Sequence, residues 1–366
     1  MKNGGRIAAV VILCLIPFGA AHAQSQGVEA PQQFADMGDF QLQSGAVIRN
    51  FNLGYRTAGK LNAEKSNGVL WLPWLGGQSK DLLQYVGPAN VVDTTKYFVI
   101  LVDPIGNGVS TSPSTSKLQP RMRFPQFTIR DMVESEHKLL TDVLHLSHLH
   151  AVIGISMGGM QTFEWLAAYP DFMDAAIPLS GSPQSTSYDK LQWTAQIDAL
   201  EFDPKWKNGN GRGAMTAGFS LYAEINSMNI TSPEYRVTQA SPQQFETFLA
   251  ATRKTGLGDA ADACNAIRQR QAINSLDIPG EHGVTMDQAA KRTHAKLLVF
   301  VSPEDHMVNP AQALNWANGA DAPIVIMDSA CGHTSFACIS VGPIVAEFLA
   351  DPGSVHNTTL HDPGKQ

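Results

Sequence analysis

The stretch Gly154-Ile155-Ser156-Met157-Gly158 sets one serine between two glycines where two apolar runs meet. The run before it, "HAVIGIS", is short and rich in branched residues, like a buried strand. The run after it, "MGGMQTFEWLAAYP", reads as a helix. Gly-x-Ser-x-Gly between strand and helix makes a sharp turn that lifts the serine hydroxyl above the sheet edge. A side chain at 154 or 158 would collide with the neighbouring strand or helix, hence glycine at both. The turn also sets the N–H of Met157 at a helix N-terminus, where it can face an oxyanion. This arrangement suits nucleophilic attack on an acyl carbon.

A serine hydroxyl needs a base, and the base needs an orienting acid. After such a turn the chain order is expected to be serine, acid, histidine. Asp305 follows a late apolar run in "LLVFVSPEDHMVNP", with Glu304 as a rival. His333 follows the last such run in "IVIMDSACGHTSF". His306 is the competing base, but as the neighbour of Asp305 it is badly placed to be oriented by that carboxylate. A second oxyanion donor is expected in the loop after an early strand, in "WLPWLGGQSKD". The backbone N–H of Leu75 is favoured, with Gly76 next; Gly76-Gly77 also reads as a turn.

The elements that must hold these residues follow from periodicity. "FQLQSGAVIRNFNLGYRTAG" reads as two alternating strands joined at Ser44-Gly45. "GVLWLPWLGG", "YFVILVDPIGNG" and "DAAIPLSGSP" read as buried strands, and residues 130–146 carry helix-spaced apolar positions. Such alternation predicts a mostly parallel sheet with helices on both faces. After Pro183 the rhythm breaks, and it resumes at "AKLLVFVSPEDHMV" and "APIVIMDSACGH". The reading is a core in two parts, 24–183 and 293–366, interrupted by a helical lid over 184–292. Trp193, Phe202, Trp206, Met215 and Phe219 of that lid are expected to line a pocket or to form the lid's own core. A last helix is expected over 336–349, and residues 24–35 read as a loose arm.

The chain has 366 residues and a net charge of −7, with no Lys/Arg block, so it lacks the footprint of a nucleic-acid binder. Residues 1–23 read as a secretory signal: Lys2 and Arg6, then an apolar run over 7–18, then Ala21-His22-Ala23. Cleavage after Ala23 would deliver a secreted or periplasmic protein without a membrane span. Cys264, Cys331 and Cys338 then remain, and at least one is unpaired within the chain. "HLSHLH" (His145, His148, His150) straddles a helix end and a strand start, which argues against a shared metal. The expected chemistry requires neither metal nor organic cofactor.

Several stretches together resemble the homoserine O-acetyltransferase family of α/β-hydrolase-fold proteins: "GISMGGMQTFEWLAAYP", "FNLGYRTAGKLN", "IGNGVSTSPS", "DPKWKNGN" and "CGHTSF". The resemblance covers most of residues 35–350. It implies an α/β-hydrolase fold, Ser156, Asp305 and His333 as triad, and Leu75 as oxyanion donor. Family transferases move an acetyl group from acetyl-CoA to an amino-acid hydroxyl; relatives with the same triad hydrolyse esters. The transferases resemble one another in an Asp directly after the histidine, where this chain has Thr334. Export would also separate the enzyme from acetyl-CoA. The expectation is therefore an exported serine hydrolase of a small-molecule carboxylic ester, with O-acyl transfer as the alternative. A lid of this kind could also pack against a second copy in a homodimer.

Overall fold

The computed structural model describes residues 28–363. The signal segment 1–23 lies outside the described residues. Ten strands form one sheet: β1 (Gln33–Gln41), β2 (Val47–Ala58), β3 (Gly68–Leu72), β4 (Phe98–Val102), β5 (Leu149–Ile155), β6 (Met173–Leu179), β7 (Lys296–Leu297), β8 (Val299–Val301), β9 (Ile324–Asp328) and β10 (Thr358–His361). Their order is β1-β2-β4-β3-β5-β6-β8-β9-β10, with β7 also on β6. β1–β2 and β2–β4 pair antiparallel. The remaining pairs, from β4–β3 to β9–β10, are parallel. β7 and β8 are one strand interrupted at Leu298, whose N–H still donates to Ala176 O at 3.0 Å.

The central strands are buried on both faces, so their apolar side chains sort by alternation rather than by polarity. Leu70, Leu72, Ile100, Val102, Val152 and Ala176 enter one core. Their neighbours Val69, Trp71, Val99, Leu101, Ala151, Ile153, Ala175 and Ile177 enter the other. The first core is covered by helices α1 (Ile129–Lys138) and α2 (Met157–Ala168). Thr128 and Asp131 form a reciprocal capping box that starts α1.

Seven helices run between β6 and β7: α3 (Ser187–Glu201), α4 (Thr216–Asn229), α5 (Pro233–Gln239), α6 (Phe245–Thr255), α7 (Ala260–Asn274), α8 (Ile278–Glu281) and α9 (Met286–Lys291). After β8 come α10 (Ala311–Gly319), α11 (Ser335–Cys338) and α12 (Gly342–Ala350). Trp206, Met215 and Phe219 pack with Leu200, Ala263, Cys264 and Ile267 in the lid's own core. Trp193 instead joins the main core, and Phe202 is 79% exposed and lines nothing.

Two local expectations are corrected. The single helix over 336–349 is broken between Cys338 and Gly342, because Pro343 can only open a helix and does so in α12. The loose arm is tied down before residue 35: Arg56 Nη1 donates to Ala30 O at 2.6 Å, and Gln32 Nε2 to Asp103 Oδ2 at 2.9 Å.

One buried acid gives the fold a pH signature. Glu136 on α1 accepts from Trp165 Nε1 at 2.8 Å and has no counter-ion among the described residues, and burial pushes its carboxyl up to about 8. A folded-state value above the unfolded one makes stability fall as pH rises from about 4.5 to about 8. Glu136→Gln is therefore expected to be more stable than the parent above pH ~8, by on the order of 4 kcal/mol, and to unfold at a higher temperature there. The gap should close toward pH ~5. A gap that thermal melts show to be independent of pH would refute this assignment.

Candidate active site

Parallel sheets present ligand sites beyond the carboxyl ends of their strands. Ser156, Asp305 and His333 all lie there, after β5, β8 and β9. Ser156 has φ 57° and ψ −114°, a strained conformation for a residue with a side chain. The elbow is held by backbone contact. A Cβ at Gly154 would lie 2.0 Å from Gly158 O, and one at Gly158 would lie 2.2 Å from Leu72 O. The chain can therefore pass from strand to helix only with glycine at both positions.

The three side chains form one continuous line. His333 Nδ1 lies 2.7 Å from Asp305 Oδ2, and His333 Nε2 lies 2.8 Å from Ser156 Oγ. All three residues are buried, at 5–6% exposure. Asp305 Oδ1 accepts from the N–H groups of Met307 and Val308 at 2.9 and 2.8 Å, so Oδ2 is left for the histidine. His306 and Glu304 face one another near the surface, 3.8 Å apart, and do not enter this line.

The N–H of Met157 opens α2 and has no intrahelical acceptor. Leu75 and Gly76 occupy the middle of a tight turn closed by Gly77 N–H to Trp74 O at 2.8 Å, with Gly76 at φ 73°. The Gly76 N–H is taken by Gln269 Oε1 at 3.0 Å. A turn of this form leaves its first central N–H, that of Leu75, uncommitted.

Residues of the lid that sequence reasoning did not find complete the frame. Gln269 on α7 also donates to Ile105 O at 3.1 Å, so one amide clamps two loops. Ile230 O accepts from His333 N–H at 3.1 Å, and Ser232 Oγ donates to Ala330 O at 2.7 Å. Asp189 Oδ1 accepts from Asn309 N–H at 3.0 Å, and Gln192 donates to Met307 O, which fixes the loop carrying Asp305. These partners lie a hundred residues or so away in sequence and belong to a polar segment without a motif, so no local signal marks them. A cavity of about 240 Å³ opens between this frame and the lid, lined by Leu75, Gly76, Phe219, Tyr222, Gln269 and Arg270 among others. A second cavity, of about 470 Å³, lies across the sheet against Trp71, Ile153 and Val345; neither cavity is lined by any of the three aligned side chains, and the first approaches them through Leu75.

The cysteines resolve into one pair. Cys331 and Cys338 form a disulfide that brackets His333, and Cys264 is a buried thiol pushed up to about 11 by desolvation. Closing so short a loop should contribute about 2 kcal/mol. The double variant Cys331→Ser/Cys338→Ser is expected to melt several degrees lower and to lose turnover as the histidine loop loosens. Identical melting curves with and without reductant would contradict this. Of His145, His148 and His150, expected to point apart, two approach one carboxylate: His148 pairs with Asp174 at 2.8 Å and His150 Nδ1 lies 3.9 Å from it, while His150 Nε2 bonds Leu349 O at 2.8 Å.

A ten-stranded, mostly parallel sheet with a serine turn at the end of a central strand defines an α/β hydrolase. The chain belongs to the alpha/beta hydrolase fold family, whose model matches residues 75–337. It is similar to the ethyl acetate hydrolase of Pseudomonas veronii, 34% identical over 209 residues, 56% of this chain. The match spans 60% of that protein's length, and 53% of the length of an esterase-named relative from Corynebacterium glutamicum. The homoserine O-acetyltransferase of Thermobifida fusca is 31% identical over 350 residues, 84% of this chain and 91% of its own. The solved acetyl esterase MekB superposes with a TM-score of 0.81 at 27% identity, over 88% of this chain and 97% of that one. The relatives it matches on this scaffold are named as esterases and as homoserine O-acetyltransferases.

Proposed function

We propose that this protein is an exported serine hydrolase that cleaves a small carboxylic ester through an acyl-Ser156 intermediate. The observation that carries the reading is the buried Asp305–His333–Ser156 line, at 2.7 and 2.8 Å. His333 Nδ1–H donates to Asp305 Oδ2, which leaves Nε2 free to accept the Ser156 proton as Oγ attacks the carbonyl. The N–H groups of Leu75 and Met157 receive the oxyanion. His333 then gives its proton to the leaving alcohol. It next takes one from the water that releases the acid.

Hydrolysis is favoured over transfer by the residue that follows the histidine. Thr334 turns its hydroxyl back onto Cys331 O at 3.0 Å and offers no carboxylate to a substrate ammonium. Export rests on residues 1–23 as a cleavable signal. N-terminal sequencing of the protein recovered outside the cytosol should begin at Gln24.

The reaction is tested by following acetate from ethyl acetate, alongside CoA thiol from acetyl-CoA with and without homoserine. Acetate release without acceptor-dependent thiol release supports the hydrolase. Thiol release that requires homoserine, with ethyl acetate untouched, would replace it with the transferase.

A further inference from the structure

Arg270, on α7 of the lid, lines the cavity beside Leu75 and Gly76 and is 3% exposed. Burying a guanidinium costs several kcal/mol unless an anion or a full set of acceptors meets it. No carboxylate pairs with it among the described residues. Its partners are Gln196 Oε1 at 2.9 Å, Ala266 O at 3.1 Å and the Tyr222 hydroxyl. It also sits 4.5 Å over the Tyr222 ring and 5.9 Å from the Trp193 ring. Three of its five N–H groups are used in this way.

Two neighbours carry unmatched donors, while Asn274 Oδ1, one turn along α7, and Gln192 Oε1 are unmatched acceptors. Gln196 Nε2 and Trp193 Nε1 are buried, at 0% and 2% residue exposure, and neither has a hydrogen-bond partner. Arg270 lines the cavity; Gln196 and Trp193 stand behind it and do not. Arg268, one turn-face away on α7, shows the contrast. It gives its N–H groups to Phe124 O, Met122 O and Gln271 Oε1, and it does not line the cavity. The one acid on the cavity wall, Asp262, is exposed and lies two helical turns from Arg270. A buried guanidinium at a cavity wall with two N–H groups unused calls for an anion with acceptor oxygens, and a carboxylate matches a guanidinium in shape and charge.

We propose that Arg270 forms a carboxylate-binding subsite, so that the natural substrate is a short ester bearing a free carboxylate. The inference rests on Ser156 being the nucleophile of an ester hydrolase. The carboxylate can sit on the acyl side or on the alcohol side of the ester, and the test separates these.

Purified protein is compared on two matched pairs: monoethyl succinate against ethyl succinamate, and acetoxyacetate against acetoxyacetamide. In at least one pair the carboxylate is expected to be preferred about a hundredfold in kcat/KM. The preferred pair identifies the side. In Arg270→Gln that ratio should collapse toward one, and in Arg270→Lys it should fall part of the way. Labelling of Ser156 by a fluorophosphonate confirms that each variant is folded, and the parent's ratio stands as a test even where a variant fails to fold. Equal rates within both pairs, or a preference that survives Arg270→Gln, overturns the proposal. If none of the four esters is cleaved, the esterase reading has failed, and calorimetry with succinate decides the subsite by itself. Saturable binding that Arg270→Gln weakens at least tenfold sustains it, and absence of saturable binding overturns it.

Discussion

Replacing Ser156 with alanine is expected to lower kcat on a short acetyl ester by about 10⁴-fold or more, with the fold intact. The hydroxyl makes one hydrogen bond in the structure, to His333 Nε2, so its loss opens no packing defect. What remains is a histidine base that has nothing to activate. Because the three groups act as a unit, adding His333→Ala to Ser156→Ala should cost almost nothing further. Steady-state rates with 4-nitrophenyl acetate measure both. A Ser156→Ala protein that retains a tenth of the parent rate would remove Ser156 from the reaction.

Asp305→Asn should cost about 10³–10⁴-fold in kcat while leaving KM nearly unchanged. The reason lies in how the carboxylate is held. Met307 and Val308 N–H groups both donate to Oδ1, so an asparagine must place its oxygen there and its NH₂ toward His333. That NH₂ can only donate to Nδ1. It thereby forces the ring proton onto Nε2, and a protonated Nε2 cannot take the serine proton. The variant keeps the geometry with the wrong tautomer. A drop of less than tenfold would show that Asp305 does not orient the base.

Much of this site was legible because its parts are local. The glycines around Ser156 report a backbone crossing that no side chain could fit, and "SPEDH" and "CGH" each follow a short branched run. Strand ends of a parallel sheet share one edge, so reading three strand ends brings together residues 28 and 177 positions apart. The lid's contribution was not legible. Gln269, Ile230 and Ser232 act through one or two hydrogen bonds each across long loops, and polar residues of a helical insertion carry no period that marks their partners. Apolar residues were a partial guide there: Phe219 lines the cavity, Trp206 and Met215 are consumed by the lid's own core, and the cavity wall also carries an arginine. Three cysteines left the pairing open because spacing does not fix distance. β10 escaped notice because a four-residue polar strand at a sheet edge has little pattern to read.

The contact between Gly158 and the end of β3 has a wider consequence. A Cβ at 158 would press on Leu72 O and lie 2.9 Å from Pro73 O, in the segment that leads directly to Leu75. The spacing between the two amide donors is therefore set by main chain against main chain. The side chain at position 75 has no part in it, nor have those that line the cavity. A lineage can exchange those side chains, and with them the acyl acceptor, while the charge-stabilising frame stays untouched. An ethyl acetate hydrolase and homoserine O-acetyltransferases among the relatives of one chain are what such a division of labour would yield.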